Sequence, residues 1–594
     1  MTPSIGQVSE VLRIANCSGF YGDRLSAARE MVEGGPIDVL TGDYLAELTM
    51  AILWRSRARD PDGGYATTFL AQMEEVLATC VEKGIKVVSN AGGLNPRGLA
   101  ERLRKLAGDL GLEVRIATVE GDDLLGRLDE LQDAGEMLAN MDTGVPLAGS
   151  GVTPVTANAY LGGWGIARAL ARGADVVITG RVTDAALVIG PAAWRFGWGR
   201  HDWDRLAGAL VAGHVIECGA QATGGNYAFF REVPGLDHVG FPLVEMRPDG
   251  SFVVTKHPGT GGLVSVGTVT AQLLYEIGGL RYLNPDVTAR FDSIRLRQQG
   301  PDRVEVTGVK GEPPPPTVKV ALNYLGGYRN TVTFVIPGLD VEEKARLAEE
   351  ALWKAVGGRE RFAETDVTLI RSDRPDPPTN EDALAYLRIT VKDPDPDKVG
   401  RDAFSRKAVE MALAHYPGFV LTGPPEDARP YAVYWPTAVP AELVPQTVEL
   451  GGEVEVVPPT GPVGPVEADV APTPIPPAPT GPTRRAPLGL VAGARSGDKG
   501  GNANVGVWAR DPVGYAWLAA YLTVDRFRRL IPEAAGLEVE RYEFPNLNAL
   551  NFVVKGLLGE GVSSSTRTDP QAKTLGEYLR AKLVDVPEAL LDDR

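Results

Sequence analysis

Short apolar runs alternate with helical spacing along the first part of the chain. Val11–Ala15 (VLRIA) predicts a strand and Asn16–Gly22 a polar glycine turn, before Leu25–Glu33 takes up helical spacing. Ile37–Leu40 predicts a second strand, followed by Thr41-Gly42-Asp43-Tyr44 and a helix through Trp54. Ile85–Ser89 predicts a third, which ends in SNAGGLNP ahead of a helix over Arg97–Leu110. Val114–Ala117 and Asp175–Ile178 are further apolar, β-branched runs, with a helix over Tyr160–Arg172 leading into the second. This alternation predicts an α/β body of doubly wound type with a mainly parallel sheet.

The pattern then changes. From about Val211 to Ile294 glycines and β-formers dominate, and AGHVIECGAQATGGN reads as strand and turn. TVTFVIP, EEKARLAEEALWKAV, DVTLIRS, AYLRITVKD and SRKAVEMALAHY follow as strand, helix, strand, strand, helix, the order of an α+β region on an antiparallel sheet. Residues 453–487 are dense in proline and predict a semi-extended linker. A compact α+β module of two strands, helix, two strands and helix closes the chain. The expected boundaries are a body over 8–300, an α+β subdomain over 301–452, a linker over 453–485 and a C-terminal domain over 486–590.

Composition narrows the class. At 594 residues, with 44% apolar and 23% charged positions, the chain is long enough for several cores. A net charge of −17 disfavours nucleic acid and anionic membrane as partners, while leaving room for an anionic small molecule in a locally positive pocket. Three cysteines cannot build a disulfide framework, so a reduced, cytoplasmic setting is expected. The first 24 residues lack a basic segment followed by an apolar one, and no apolar run is of membrane-spanning length; neither export nor a span is expected.

The candidate chemistry lies in polar-glycine turns. Phosphate-loop, dinucleotide, nucleophile-elbow and zinc-helix motifs are absent from the sequence, and its five histidines show no close metal-ligand spacing. In parallel sheets ligands bind beyond the carboxyl ends of the strands. Asn16–Arg24, Thr41–Glu47, Asn90–Asn95 and Thr179–Asp184 occupy that address, and their convergence on one cleft is the central expectation. In SNAGGLNP the Gly92 and Gly93 amides and Asn95 either serve only as a helix cap or also contact an anion. Arg181, Thr183 and Asp184 put a cation, a hydroxyl and a carboxylate after an apolar strand: an oxyanion or carboxylate binder and a general base, or else a structural ion pair. A magnesium ion on Asp184 or Asp43 lacks a supporting carboxylate spacing, so no metal site is assigned.

Further along, a strand would put His214 and Cys218 on one side and Glu217 on the other. Cys218 and His214 then form a nucleophile or acid/base pair, or the cysteine is a small buried hydrophobe. Asn226 ends the same stretch as a binding candidate. Lys256 and His257, in KHPGTGG, supply an acid or oxyanion donor, or merely a surface turn. In the C-terminal module Arg495–Asn504 (RSGDKGGNAN) offers Ser496, Asp498, Lys499 and Asn502 as hydrogen-bonding residues, with the alternative of a solvated hairpin. The Asn546–Asn548 turn and the Ser563–Arg567 loop are expected near it.

GFYGDR, SNAGGLNP, ITGRVTDAAL, ECGAQATGGN, KHPGTGGLV and ARSGDKGGNANVGV, in this order, resemble the acyclic terpene utilisation protein AtuA family. The likeness covers an AtuA-type body over about 10–450 and the AtuA-like C-terminal domain over about 486–590. It implies a ferredoxin-like fold for the latter and a role in degrading citronellol- or geraniol-type terpenoids through branched acyl-CoA thioesters. Family members are often encoded beside acyl-CoA carboxylases and enoyl-CoA hydratases, and a 3-hydroxy-3-isohexenylglutaryl-CoA:acetate lyase role has been put forward for them. The implied function is a C–C lyase or hydratase/dehydratase acting on a 3-hydroxyacyl- or enoyl-CoA, with CoA entering as part of the substrate. The alternatives are a noncatalytic partner of acyl-CoA enzymes and a lyase of a free hydroxy acid. The expected partners are the small acyl substrate, other copies of the chain and acyl-CoA pathway enzymes. The resemblance supplies a substrate class; the site residues rest on the turns above.

Overall fold

The computed structural model describes residues 11–461, 463–464 and 466–591. Two compact units divide the chain: the described residues of Met1–Asn323, Tyr434–Val562 and Gln571–Arg594 form one, and Tyr324–Val433 with Ser563–Pro570 the other.

In the first unit the predicted alternation is realised. Strands β1 (Leu12–Asn16), β2 (Val39–Gly42) and β3 (Lys86–Ser89) alternate with helices α1 (Ala27–Glu33), α2 (Glu47–Arg59) and α3 (Thr67–Lys83). Helix α4 (Pro96–Asp109), strand β4 (Ile116–Glu120), helix α5 (Leu128–Asp133), strand β5 (Pro154–Ala159), helix α6 (Trp164–Ala171) and strand β6 (Val176–Thr179) follow. Helices α7 (Ala186–Phe196) and α8 (Trp203–Ile216) then lead to strands β7 (Pro242–Met246) and β8 (Phe252–Lys256). β1, β2, β3, β6 and β4 lie side by side and parallel, the registers running from Ile14↔Val39 to Val119↔Thr179. Antiparallel strands extend both edges, β7, β8, Arg303–Thr307 and Arg295–Gly300 in turn beyond β1, and Gln446–Leu450 with Glu453–Val457 beyond β4, giving eleven strands among the described residues. The proline-rich stretch therefore begins later than its composition indicates, since Glu453–Val457 pairs with Gln446–Leu450.

β2 and β6 are buried at every position and β3 at three of four, as strands covered on both faces must be. One core cluster joins Val32, Leu40, Phe69, Val76, Leu99, Leu103 and Ile178 across α1, α3 and α4, and each such side chain adds roughly 1.5–3 kcal/mol.

One expectation fails here. His214 and Cys218 do not share a strand: Trp203–Ile216 is helical, and every residue from Leu206 to Ile216 is buried. A helix buried all round has no polar face to reveal its period, so LAGALVAGHVI mimics a buried strand.

The C-terminal module is a four-stranded antiparallel sheet in the order Ala492–Lys499, Asn502–Ala509, Ala549–Val554, Val539–Phe544, consistent with a ferredoxin-like domain. Helices Pro512–Tyr521 and Leu575–Arg580 help build its core with Val505, Val507, Leu518, Phe552 and Leu579. In the second unit, Val341–Val356 packs on a sheet that includes Glu364–Ile370 and Leu384–Asp393. The helix expected over SRKAVEMALAHY ends at Val409. The loop Ser563–Pro570 belongs to this unit because Arg388 donates to the Thr566 carbonyl (2.8 Å) and Thr568 Oγ1 (2.6 Å), and Arg329 to the Ser565 carbonyl (3.2 Å).

Among the described residues no helix is long and apolar enough to cross a membrane.

Candidate active site

The turns that follow the parallel strands are tied to one another. β1 ends at Asn16, whose Oδ1 accepts the Ser18 N–H (2.8 Å) and whose Nδ2 donates to the Glu217 carbonyl (3.4 Å). After β2, the Asp43 N–H donates to the Ser18 carbonyl at 3.0 Å. After β3, Asn90 Nδ2 donates to Asp43 Oδ1 at 2.7 Å and Asn90 Oδ1 accepts the Tyr44 N–H at 2.8 Å. After β6, the Arg181 N–H donates to Oδ2 of Asp122, which follows β4, at 2.8 Å. The Arg181 guanidinium donates to Asp184 Oδ1 at 2.7 Å and to the Val182 carbonyl at 2.8 Å, and lies 4.2 Å from the Tyr160 ring centroid. The ends of β1, β2 and β3 thus share one hydrogen-bonded network and those of β4 and β6 another, and the charges of Arg181 and Asp43 act across the rim they form.

Around this rim stand Asp43, Asp184, Glu217 and Glu276. Burial raises the Asp43 carboxyl well above its ordinary range, the Asp184 charge adds to the effect, and Arg181 and Asn90 oppose it. Burial likewise raises Glu217 strongly, reinforced by Asp184 and Glu276 against Arg181 and Lys499. Its Oε2 has no hydrogen-bond partner among the described residues, and its Oε1 lies 3.2 Å from His214 Nδ1. Burial lowers His214 to about 4, so its imidazole is neutral. Burial works against the charge of Arg181, but Asp184, Tyr160 and Asp43 outweigh it and hold the guanidinium well above its usual value. A carboxyl that burial pushes toward its protonated form therefore sits near one paired with an arginine, an asymmetry of the kind acid–base catalysis uses. Among the described residues, no three His, Cys, Asp or Glu side chains group to hold a metal ion.

The other candidates have different surroundings. Cys218 adjoins Glu217, but burial and the charges of Glu217, Glu276 and Asp43 all oppose its thiolate, which does not suit a nucleophile. Thr183 Oγ1 donates to Asn284 Oδ1 at 3.2 Å. Asn95 is a helix cap: its Oδ1 accepts the Gly98 N–H at 3.0 Å, and its Nδ2 donates to the Asp62 and Gly63 carbonyls at 3.1 Å. The amides of Gly93, Leu94 and Asn95 donate to the carbonyls of Asn90, Gly64 and Gly92, so they are spent inside the turn rather than turned to an anion. Gly92 is pressed against the Thr179 carbonyl, where a Cβ would come within 2.5 Å.

His257 and Lys256 are likewise committed. His257 Nε2 meets the Met31 carbonyl at 2.9 Å and its ring abuts Gly34 and Gly35; Lys256 Nζ contacts Asp302 (3.1 Å) and the Thr260 carbonyl (2.8 Å). Hydrogen bonds join the Asn16, Asp43 and Asn90 turns and the Arg181 charge acts on Asp43, whereas Asn95 and His257 have structural partners of their own.

The C-terminal module meets the body directly. In its hairpin Arg495 faces Gly506, Gly497 faces Asn504 and Lys499 faces Asn502, so alternation puts these six on one side of the sheet. Lys499 Nζ donates to the Glu276 carbonyl at 3.1 Å, Asn504 Oδ1 accepts the Glu276 N–H at 2.8 Å, and the Arg495 guanidinium lies 4.4 Å from the Tyr275 ring centroid. Arg495 also reaches the Asn226 carbonyl at 3.5 Å. A Cβ on Gly497 would fall 2.4 Å from the Tyr275 ring, and one on Gly506 2.4 Å from Leu274 Cβ; glycine is what lets the sheet approach. Of the other candidates, Asn502 binds Asp142 (3.1 Å), Ser496 Oγ accepts the Gly576 N–H (2.8 Å), and Asp498 is the ladder partner of Ala503. Asn546 Nδ2 donates to the Phe291 and Ile294 carbonyls at 2.8 and 2.9 Å.

Asp122, Tyr275, Glu276, Tyr282 and Asn551 were not singled out by motif. Asp122 sits in an unremarked EGDD turn, and Glu276 in a YEIGG segment that reads as an ordinary loop.

Residues 12–450 match the family model described as acyclic terpene utilisation family protein AtuA, and residues 486–585 match the AtuA ferredoxin-like domain. The chain belongs to the acyclic terpene utilisation family AtuA. No curated protein and no solved structure matches it. The site of this AtuA family member is thus built from both matched regions, the strand-end rim and Glu276 from the first, and Lys499, Asn504 and Arg495 from the second.

Proposed function

We propose that this protein is a lyase of branched, terpenoid-derived acyl catabolism, acting on a 3-hydroxyacyl- or enoyl-CoA thioester by C–C lysis or by elimination and addition of water. The observation that supports the reading is Asp184, ion-paired to a buried arginine at 2.7 Å, within electrostatic reach of Glu217, whose buried carboxyl is pushed well up. In elimination, Asp184 takes the proton next to the thioester carbonyl, Glu217 protonates the departing hydroxyl, and the C=C bond and water form. In C–C lysis Asp184 takes the proton of the hydroxyl, the adjacent C–C bond breaks to a carbonyl and an enolate, and Glu217 protonates the enolate carbon. Both routes develop negative charge on the thioester oxygen, which the Arg181 cation favours. Asn16, Asn90 and Asp122 hold the rim in register, and His214, neutral at working pH, buttresses Glu217.

The test is turnover of branched 3-hydroxyacyl-CoA, enoyl-CoA and free hydroxy-acid pools by the purified full chain, followed by mass spectrometry. Asp184→Asn, with unchanged circular dichroism, should lower kcat on the consumed substrate by about 10²–10⁴-fold. Unchanged turnover in that variant overturns the assignment. A full chain that consumes no pool member favours the noncatalytic partner instead.

A further inference from the structure

Glu276 occupies the left-handed region, with φ +56°. For a residue with a long side chain this conformation is strained and persists only where the surroundings over-determine it. The surroundings come from the C-terminal domain. Asn504 Oδ1 accepts the Glu276 N–H at 2.8 Å and Asn504 Nδ2 donates to the Leu274 carbonyl at 3.0 Å. Lys499 Nζ donates to the Glu276 carbonyl at 3.1 Å. Asn551 Nδ2 donates to the carbonyls of Ile277 (3.2 Å) and Gly278 (2.6 Å). Asn504 and Asn551 are both fully buried and hydrogen-bonded to each other.

Five backbone groups of one short turn are therefore gripped by three side chains of a separate domain. Docking alone would be served by apolar packing, and burying two carboxamides is worthwhile only if their hydrogen bonds are all made. What the grip fixes is the direction in which Glu276 leaves the backbone, and its carboxylate charge is felt by Glu217, His214, Tyr275, Tyr282 and Cys218.

We infer that Asn504 and Lys499 are positioning residues: they hold Glu276 in its left-handed turn so that its carboxylate stands beside Glu217, and the C-terminal domain thereby completes the site. The inference rests on the acid–base reading above and adds to it the reason why a ferredoxin-like domain is joined to the α/β body. A carboxylate beside Glu217 helps to keep the proton on it, so freeing Glu276 should let Glu217 lose that proton at lower pH.

The full chain carrying Asn504→Ala, Lys499→Met or Lys499→Arg tests this by hydrogen exchange and by the pH profile of turnover. Lys499 is exposed, so Lys499→Met tests the idea even if the buried Asn504→Ala variant folds poorly. Asn504→Ala and Lys499→Met should speed exchange across Leu274–Gly278. They should also lower kcat by about tenfold or more with KM changed less than about threefold, and Asn504→Ala, which removes no charge, should move the alkaline limb of the profile to lower pH. Lys499→Arg, which keeps a cationic donor for the Glu276 carbonyl, should recover most of the rate. Faster exchange with unaltered kcat and pH profile overturns the inference. Failure of the acid–base reading itself shows separately, as full turnover in Asp184→Asn.

Discussion

Asn90 Nδ2 donates to the buried Asp43 Oδ1 across 2.7 Å, joining the end of the third parallel strand to the end of the second. The other end of the same carboxamide accepts the Tyr44 N–H. One side chain thus satisfies a donor and an acceptor that are both out of reach of water, and Asn90 is itself fully buried. Asn90→Ala removes both partners at once. A buried polar group left unsatisfied costs about 1–3 kcal/mol, and Asp43 keeps the Leu45 N–H as a second donor at 3.0 Å. The variant should lose roughly 2–3 kcal/mol in urea unfolding, read as a lower midpoint at constant m-value. A midpoint within error of the wild type would mean that the rim does not depend on this link.

Asp122 makes stability depend on pH. Burial raises its carboxyl to about 7, although the Arg181 N–H and Asn158 Nδ2 favour the charged form. An unfolded aspartate titrates near about 3.9. Between the two values the folded chain holds a proton that the unfolded chain has released, so this stabilising contribution is full below about 4 and is lost as pH rises through 7. The slope is about 1.4 kcal/mol per pH unit for one proton. His214 acts in the opposite sense: its folded value of about 4 lies below the unfolded one, so its contribution is present above about 6.5 and lost as pH falls. Comparing the wild type with Asp122→Asn cancels His214 and the other groups. The wild type should be the more stable at pH 5, and its advantage should shrink or reverse by pH 8. A gap that stays constant across that range would show that Asp122 does not retain its proton.

Much of this rim can be read from the chain because a parallel strand and its exit turn are contiguous in sequence. VVIT and GRVTD carry both the apolar run and the polar residues that follow it, so Arg181 and Asp184 stand out. Asn95 with Pro96 likewise announces a helix start, which Asn95 caps. The alternation of Arg495, Gly497 and Lys499 against Asn502, Asn504 and Gly506 is visible too, but what that face touches is not local. Glu276 owes its role to residues more than 200 positions away, and nothing in its own neighbourhood marks it. His257 misled for the converse reason: a basic pair in a glycine loop resembles a site, yet its ring fills the space over Gly34 and Gly35. The error at His214 and Cys218 came from period, because a helix buried on every side and a buried strand share one composition. Once the segment is helical, His214 and Glu217 fall three residues apart on one face and meet.

Arg181 is the cation on which the rim's carboxyl groups depend. Its side chain is 4% exposed, while Asp184 is 31% exposed and Asp43 is buried. Removing one partner of a buried ion pair costs about 3–5 kcal/mol because the other charge is left uncompensated. The partial exposure of Asp184 to water reduces that, so Arg181→Met should cost roughly 2–3 kcal/mol near pH 8. The sign of its pH dependence follows from what remains. Without the guanidinium, burial and the Asp184 charge favour protonation of Asp43 unopposed by that cation, and protonation relieves the repulsion. The deficit should therefore narrow toward pH 5, and Arg181→Lys, which keeps a charge but loses the planar fork, should fall between Arg181→Met and the wild type at both pH values. Urea unfolding of the three proteins at pH 5 and 8 decides it. An Arg181→Met deficit equal at both would mean that the protonation of Asp43 does not depend on this charge, and the electrostatic account of the rim would fail with it.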